Sequence, residues 1–323
     1  MPVISNSAYT RNQLWLHAHR QTILPSMFRK IEDVDYTRER ITLPDEDFLD
    51  IDRLKQKQDK LIIISHGLEG SSERHYVKGM AKYFFKKGWD VLAWNCRSCS
   101  GEINKAPRLY HHAATHDLES VIDHARSLHQ YKHIALTGFS MGGSLTLKYL
   151  GERNTLPAEI KSAVVFSVPC NLGASAAVLD KSQNSFYRKR FLKKLKYKIK
   201  LKAAQYPALF DLKPLQNIKY FEEFDDIYTA PRHGFQSAQH FYETASANRY
   251  IPQIKTGTLI VNAQNDPFLP ETCYPYELAT NSEHVFLECP PQGGHVGFGL
   301  AGREENYMET RAFQFIDQNI SNY

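Results

Sequence analysis

Short runs of apolar and β-branched residues alternate along this chain with stretches whose apolar side chains recur at helical spacing. That alternation predicts a mostly parallel sheet wrapped by helices. The strand-like runs are Leu61 to Ser65, Asp90 to Asn95, His133 to Thr137, Ser162 to Val168, Thr258 to Ala263 and His284 to Glu288. Between the first two, Val77, Met80, Ala81, Phe84 and Phe85 share one helix face and Gly88 closes the helix. A second helix runs from Asp117, its expected cap, to His129 and aims Leu118, Val121, Ile122 and Ala125 inward. The last spans Arg303 to Asn319, with Met308, Ala312, Phe315 and Ile316 on one face.

The rhythm fails between Asn171 and Ile251, where the residues are basic, aromatic and helix-prone. This predicts an inserted helical cap over 171–251, with 1–170 and 252–323 forming a single α/β core. The first sixty residues read as an antiparallel lead-in to the sheet, with Arg38 to Leu43 a strand.

Composition narrows the class. The 323 residues are 42% hydrophobic and 23% charged, which is ordinary for a globular protein. Apolar stretches such as Leu61 to Ile64 fall far short of the ~20 residues that span a bilayer. Met1 to Arg20 has no basic-then-apolar order, so no signal peptide is expected and the cytoplasm is the expected location. The five cysteines are scattered, which argues against a disulfide framework; Cys96 and Cys99 form a lone C-x-x-C without a second pair, so neither zinc nor thiol redox chemistry is expected there.

The net charge of +5 is unevenly placed, because Lys181 to Lys202 holds ten basic residues and no acidic one. Within it Tyr187, Phe191, Leu195 and Ile199 follow at four-residue steps, one stripe of a helix. The run reads as a solvated helix packed by that stripe or as a surface for peripheral contact with an anionic membrane. Nucleic-acid binding is not expected, since no recognised module accompanies the charge.

Chemistry concentrates at strand ends. Gly138-Phe139-Ser140-Met141-Gly142 follows one strand and precedes a helix, the setting in which a serine hydroxyl is raised on a sharp turn and only glycine leaves room on either side. A nucleophilic serine needs a base and a carboxylate to orient it. Asp266 lies just after the strand Thr258 to Ala263, and His295 lies in Pro290 to His295 after the strand ending at Glu288, a loop expected to let His295 swing between acid and serine. Asp117 is the rival carboxylate, better explained as a helix cap. An oxyanion needs two backbone donors, here the N–H groups of Met141 and Leu68. His66 and Gly67 shape the loop that presents Leu68, and Glu69 braces it. The remaining histidines, among them His111, His112, His116 and His233, lack metal-ligand spacing and read as surface or structural; no metal and no organic cofactor is implied.

The chain resembles the YheT-like family of α/β-hydrolases, which includes eukaryotic α/β-hydrolase-domain lipases and fungal medium-chain ethyl ester synthases. The likeness rests on His66-Gly67-Leu68-Glu69-Gly70-Ser71-Ser72, on Gly138 to Gly143, on Asn262 to Leu269 and on Gly294-His295-Val296-Gly297-Phe298. It extends to Gln21 to Pro25, Asp47 to Asp50, Arg97 to Glu102 and His233-Gly234-Phe235, nearly the whole chain. It implies an α/β-hydrolase fold and hydrolysis of small acyl esters or glycerides of short to medium chain. Acyl transfer to an alcohol and thioester hydrolysis use the same acyl-enzyme, and a non-catalytic lipid-binding or scaffold protein is the reading from another class. Two departures stand out: Asn265 replaces the first of two adjacent aspartates usual in the family, and Tyr110-His111-His112-Ala113 replaces a Tyr-His-Ser-Gly run.

Overall fold

The computed structural model describes residues 2–9, 17–128 and 131–320. Of the stretch Met1 to Arg20, therefore, only part is described, and His129 lies outside the described residues. The elements in chain order are β1 (Val3–Ile4), α1 (Ala18–Phe28), β2 (Thr37–Thr42), β3 (Phe48–Leu54), β4 (Lys60–Ser65), α2 (His75–Lys86), β5 (Asp90–Asn95), α3 (Thr115–Leu128), β6 (His133–Phe139), α4 (Met141–Glu152) and β7 (Ile160–Phe166). There follow α5 (Leu172–Leu179), α6 (Ser185–Gln205), α7 (Phe221–Phe224), α8 (Ala230–Arg232) and α9 (Ala238–Ala245), then β8 (Gly257–Val261), α10 (Tyr276–Thr280), β9 (Val285–Glu288) and α11 (Tyr307–Ile320).

The sheet has nine strands in the order β1-β9-β8-β7-β6-β4-β5-β3-β2. From β5 to β1 every pair is parallel, whereas β3 runs antiparallel to both β5 and β2. Because successive strand residues point to opposite faces, each central strand feeds two apolar layers. Ile63, Trp94, Leu136 and Val165 pack with α3 and α4 on one face, and Ile62, Ala93, Ala135 and Val164 with α2 and α11 on the other. A mostly parallel sheet between helical layers matches the reading of the sequence.

The lead-in differs from expectation. Its antiparallel ladder holds two strands, β2 and β3, while β1 crosses to the far edge and pairs parallel with β9. All seven residues of β3 are buried although three are charged. Asp50 and Asp52 are neutralised from β2 by Arg40 (2.7 and 2.9 Å) and Arg38 (2.8 and 2.9 Å), bidentate pairs that let an acidic strand sit inside the sheet. Asp117 is likewise corrected. It lies inside the first turn of α3, and its carboxylate takes Arg97 at 2.9 and 2.8 Å in a buried pair instead of capping the helix.

Residues 172–245 hold helices and no strand, and their apolar side chains form a third cluster of their own, with Leu195, Ile199, Phe221, Phe224 and Phe241 at its centre. No described helix is long and apolar enough to cross a membrane.

Candidate active site

Ser140 sits between β6 and α4 at φ 54°, ψ −117°, a conformation that side chains rarely adopt. The two flanking glycines make the turn possible. A Cβ on Gly138 would lie 2.3 Å from the Gly142 carbonyl oxygen, and one on Gly142 would lie 2.3 Å from the Ser65 carbonyl oxygen at the end of β4. The turn is thus wedged against the neighbouring strand.

Asp266 and His295 come from the loops after β8 and β9. His295 Nδ1 lies 2.8 Å from Asp266 Oδ2 and Nε2 lies 3.0 Å from Ser140 Oγ, so acid, imidazole and hydroxyl form one continuous hydrogen-bonded line. The Asp266 side chain is fully buried, and its other oxygen accepts the Phe268 N–H at 2.9 Å. The Phe268 ring lies 4.2 Å from that of His295, centroid to centroid, and shields the imidazole. A line of this kind can move a proton off a hydroxyl and hold the resulting imidazolium beside a carboxylate.

The histidine loop is pinned, contrary to the expectation that it swings. Gly293 N–H donates to Gln21 Oε1 at 2.9 Å, Gly294 N–H to Asn265 Oδ1 at 3.0 Å, His295 N–H to Thr22 Oγ1 at 3.0 Å and Val296 N–H to Ser167 Oγ at 2.9 Å. Asn265 also donates to Gln21 Oε1 and Gln292 Oε1, a use that an aspartate could not serve. Gln21, Thr22 and Ser167 had no role assigned from the sequence. Nothing in their own spacing marks them; α1 brings Gln21 and Thr22 to the loop from 270 residues away, and only the fold makes that contact.

The loop after β4 is held from several sides. Cys96 N–H donates to His66 Nε2 at 3.1 Å, which leaves the proton on Nδ1 to donate to the Gly67 carbonyl at 2.7 Å. Burial holds the His66 pKa down to about 4, so the ring stays neutral and works as a brace. Gly67 N–H donates to Tyr76 Oη at 3.1 Å. Glu69, at φ 54°, accepts from Tyr110 Oη (2.6 Å) and from Lys198 Nζ of α6 (2.7 Å). Among the described residues neither the Leu68 nor the Met141 amide N–H has an acceptor, and both lie next to the Ser140 turn.

Two cavities meet at Ser140 and His295, sharing Leu68, Phe191 and Phe268 as well. One of them, with about 1030 Å³ of empty space including its solvent-open mouth, runs among the helices of 172–245 and is mostly apolar. His111, His112 and His233 line it, so of the two readings, surface or structural, the surface one does not hold for them. Burial pushes His112 down to about 4, His233 to about 3 and His111 well below its ordinary value, so all three are neutral polar groups in an apolar wall. The basic run is also split by the fold. Tyr187, Leu195 and Ile199 are buried as the stripe predicts, but Lys198 and Lys202 are buried too, the latter donating to the carbonyls of Asn104 and Ala106. Phe186 and Tyr197 are exposed.

A family model described as the alpha/beta hydrolase fold matches residues 60–301, from β4 past His295. Escherichia coli YheT is 32% identical over 91% of this chain and 88% of that protein. The chain belongs to the YheT-like family of α/β hydrolases. Human phospholipase ABHD3 is 28% identical to this YheT-like chain over 99% of it and 80% of the relative, and a Saccharomyces cerevisiae monoacylglycerol lipase is 28% identical over 79% and 57%. A Pyrococcus furiosus esterase superposes with a TM-score of 0.61 at 19% identity, covering 88% of this chain and 91% of that one, and shares its fold.

Proposed function

We propose that this YheT-like protein is a serine carboxylic-ester hydrolase. The observation that carries the reading is the line Asp266–His295–Ser140, at 2.8 and 3.0 Å, opening onto an apolar cavity. Ser140 Oγ attacks the acyl carbon while His295 takes its proton; the oxyanion is held by the Leu68 and Met141 N–H groups. His295 then protonates the departing alcohol, and a water activated by the same imidazole releases the acid. Asp266 keeps Nδ1–H oriented and balances the imidazolium.

Residues 171–251 act in this reading as the cap whose apolar cluster takes the acyl chain. The apolar lining of that cavity and the esterase and lipase names of the relatives support an acyl ester or glyceride, and the family resemblance suggests a short to medium chain. The residues carrying the reaction are all side chains and backbone amides of this chain.

Ser140→Ala is expected to lower the turnover of p-nitrophenyl butyrate by about 10⁶-fold and to abolish labelling by a fluorophosphonate probe. Near-normal hydrolysis by that variant overturns the assignment.

A further inference from the structure

The second cavity at Ser140 is mostly apolar like the first and differs in the two arginines on its wall. It opens to solvent with about 750 Å³ of empty space, and beside aromatic residues such as Tyr76, Tyr187 and Phe268 its walls include Ser26 of α1, Arg74 at the start of α2 and Arg190 of α6. Among the described residues nine arginines pair with carboxylates, while others, such as Arg249 and Arg303, do not. Arg74 and Arg190 have no hydrogen bond or ion pair to an acid among the described residues.

The two arginines reach the cavity from different elements, Arg190 from an exposed position on α6. Lys194, one turn beyond Arg190, donates to the Glu69 carbonyl at 3.1 Å, and its pKa is lowered first by burial and then by repulsion from Arg74 and Arg190. The Glu69 carboxylate offsets part of this charge, although Lys198 and Tyr110 already hydrogen-bond to it. The start of α2, with neither a side-chain cap nor an acid in its first turn, adds to the same positive field. Positive charge thus gathers on one side of Ser140, and among the described residues neither Arg74 nor Arg190 pairs with an acid, Glu69 being ion-paired to Lys198.

We propose that Arg74 and Arg190 form an anion subsite for the alcohol part of the substrate, so that the enzyme favours esters whose leaving alcohol carries a phosphate or a carboxylate. This rests on the serine-hydrolase reading of Ser140. The acyl chain occupies the first cavity, and the anion sits between the arginines through charge-assisted hydrogen bonds. In the reaction the ester C–O bond breaks as the Ser140 Oγ–acyl bond forms. The Ser140 proton passes through His295 to the alcohol oxygen, and the anion itself is unchanged.

The test compares 1-butyrylglycerol 3-phosphate with 1-butyrylglycerol, following released butyric acid, in the full-length protein, in the Arg74→Gln/Arg190→Gln variant and in the Arg74→Lys/Arg190→Lys variant. The phosphate ester should be favoured at least tenfold in kcat/KM. The ratio should fall toward one in the glutamine variant and in 0.5 M salt, and should partly return with lysine. Calorimetry with glycerol 3-phosphate on Ser140→Ala separates the two readings. Binding there that the glutamine changes remove supports the subsite even if no ester is cleaved. Equal use of both esters, a preference that survives in the glutamine variant, or no binding of glycerol 3-phosphate overturns the subsite. A preference seen only when the phosphate ester is presented in phosphatidylglycerol vesicles also overturns it, because the charge then serves a membrane surface.

Discussion

Ser140 carries the most demanding backbone of the site, and the cost falls on its neighbours. A methyl on Gly142 meets the backbone of β4, which cannot move without disturbing the sheet, so Gly142→Ala is expected to destabilise the fold by roughly 1–3 kcal/mol and to cut ester turnover by at least 100-fold. Urea unfolding and p-nitrophenyl butyrate kinetics check both effects, and a variant of wild-type activity would show that the turn is not wedged. The two carboxylates near the carboxyl edge separate by the same logic. Asp266→Asn is expected to lower turnover by about 10⁴ while leaving the fold intact, because it removes the group that orients His295. Asp117→Asn is expected to do the reverse, costing several kcal/mol because Arg97 is left buried with one partner fewer, with turnover of the folded fraction retained. If the Asp117 variant is the inactive one, the acid is misassigned.

Among the elements, α6 bears most on the site. Its apolar stripe is legible at four-residue steps, yet the lysines that matter sit beside that stripe and point inward. Lys198 ties α6 to Glu69 and Lys202 ties it to the loop at Asn104 and Ala106. Lysines in a basic run read as solvated because an isolated helix gives no reason to bury them; the acceptors come from loops about a hundred residues earlier. Lys198→Met should therefore strand Glu69 and loosen the loop that presents Leu68. The expected result is a several-fold fall in kcat together with lower stability, while Lys198→Met/Glu69→Gln recovers part of the stability because no buried charge is left alone. Additive losses in thermal unfolding of the single and double variants would refute the coupling. Strand β3 makes the same point, since its aspartates hid it until Arg38 and Arg40 supplied their partners.

For the whole molecule, burial of neutral histidines gives stability a definite pH dependence. His66 is held at about 4, His75 at about 3, His112 at about 4 and His233 at about 3, all by burial, against an ordinary value of 6.5. Each takes a proton more readily when unfolded, so its contribution is complete above about pH 6.5 and is lost as pH falls from there toward 4. For His66 alone the full loss is roughly 3 kcal/mol. Asp225 and Asp180 oppose this: burial raises their carboxyls to about 7 and about 6, so their contributions are present at low pH and are lost as pH rises from 3.8 through those values. These histidines, with His111 also held well below its ordinary value, outweigh the two aspartates, and the urea midpoint should fall steadily from pH 6.5 to 4.5, less steeply in His66→Asn. A flat profile over that window would contradict the burial of these rings.

The sequence by itself determined the order of strands and helices, the helical interruption after Asn171, and the strand ends that bear Ser140, Asp266 and His295. These are legible because period-two and helical patterns, glycine spacing and turn residues are local properties. Only the tertiary structure decided that Gln21, Thr22 and Asn265 pin the histidine loop, that Lys198 and Asp117 face buried partners, and that β1 joins the far edge of the sheet. It also decided that Ser140 stands between two mostly apolar cavities, one of which carries two arginines. Polar side chains acquire meaning from partners distant in sequence, and a charge reads as solvated until the fold brings its counterpart, or leaves it without one, beside the reacting serine.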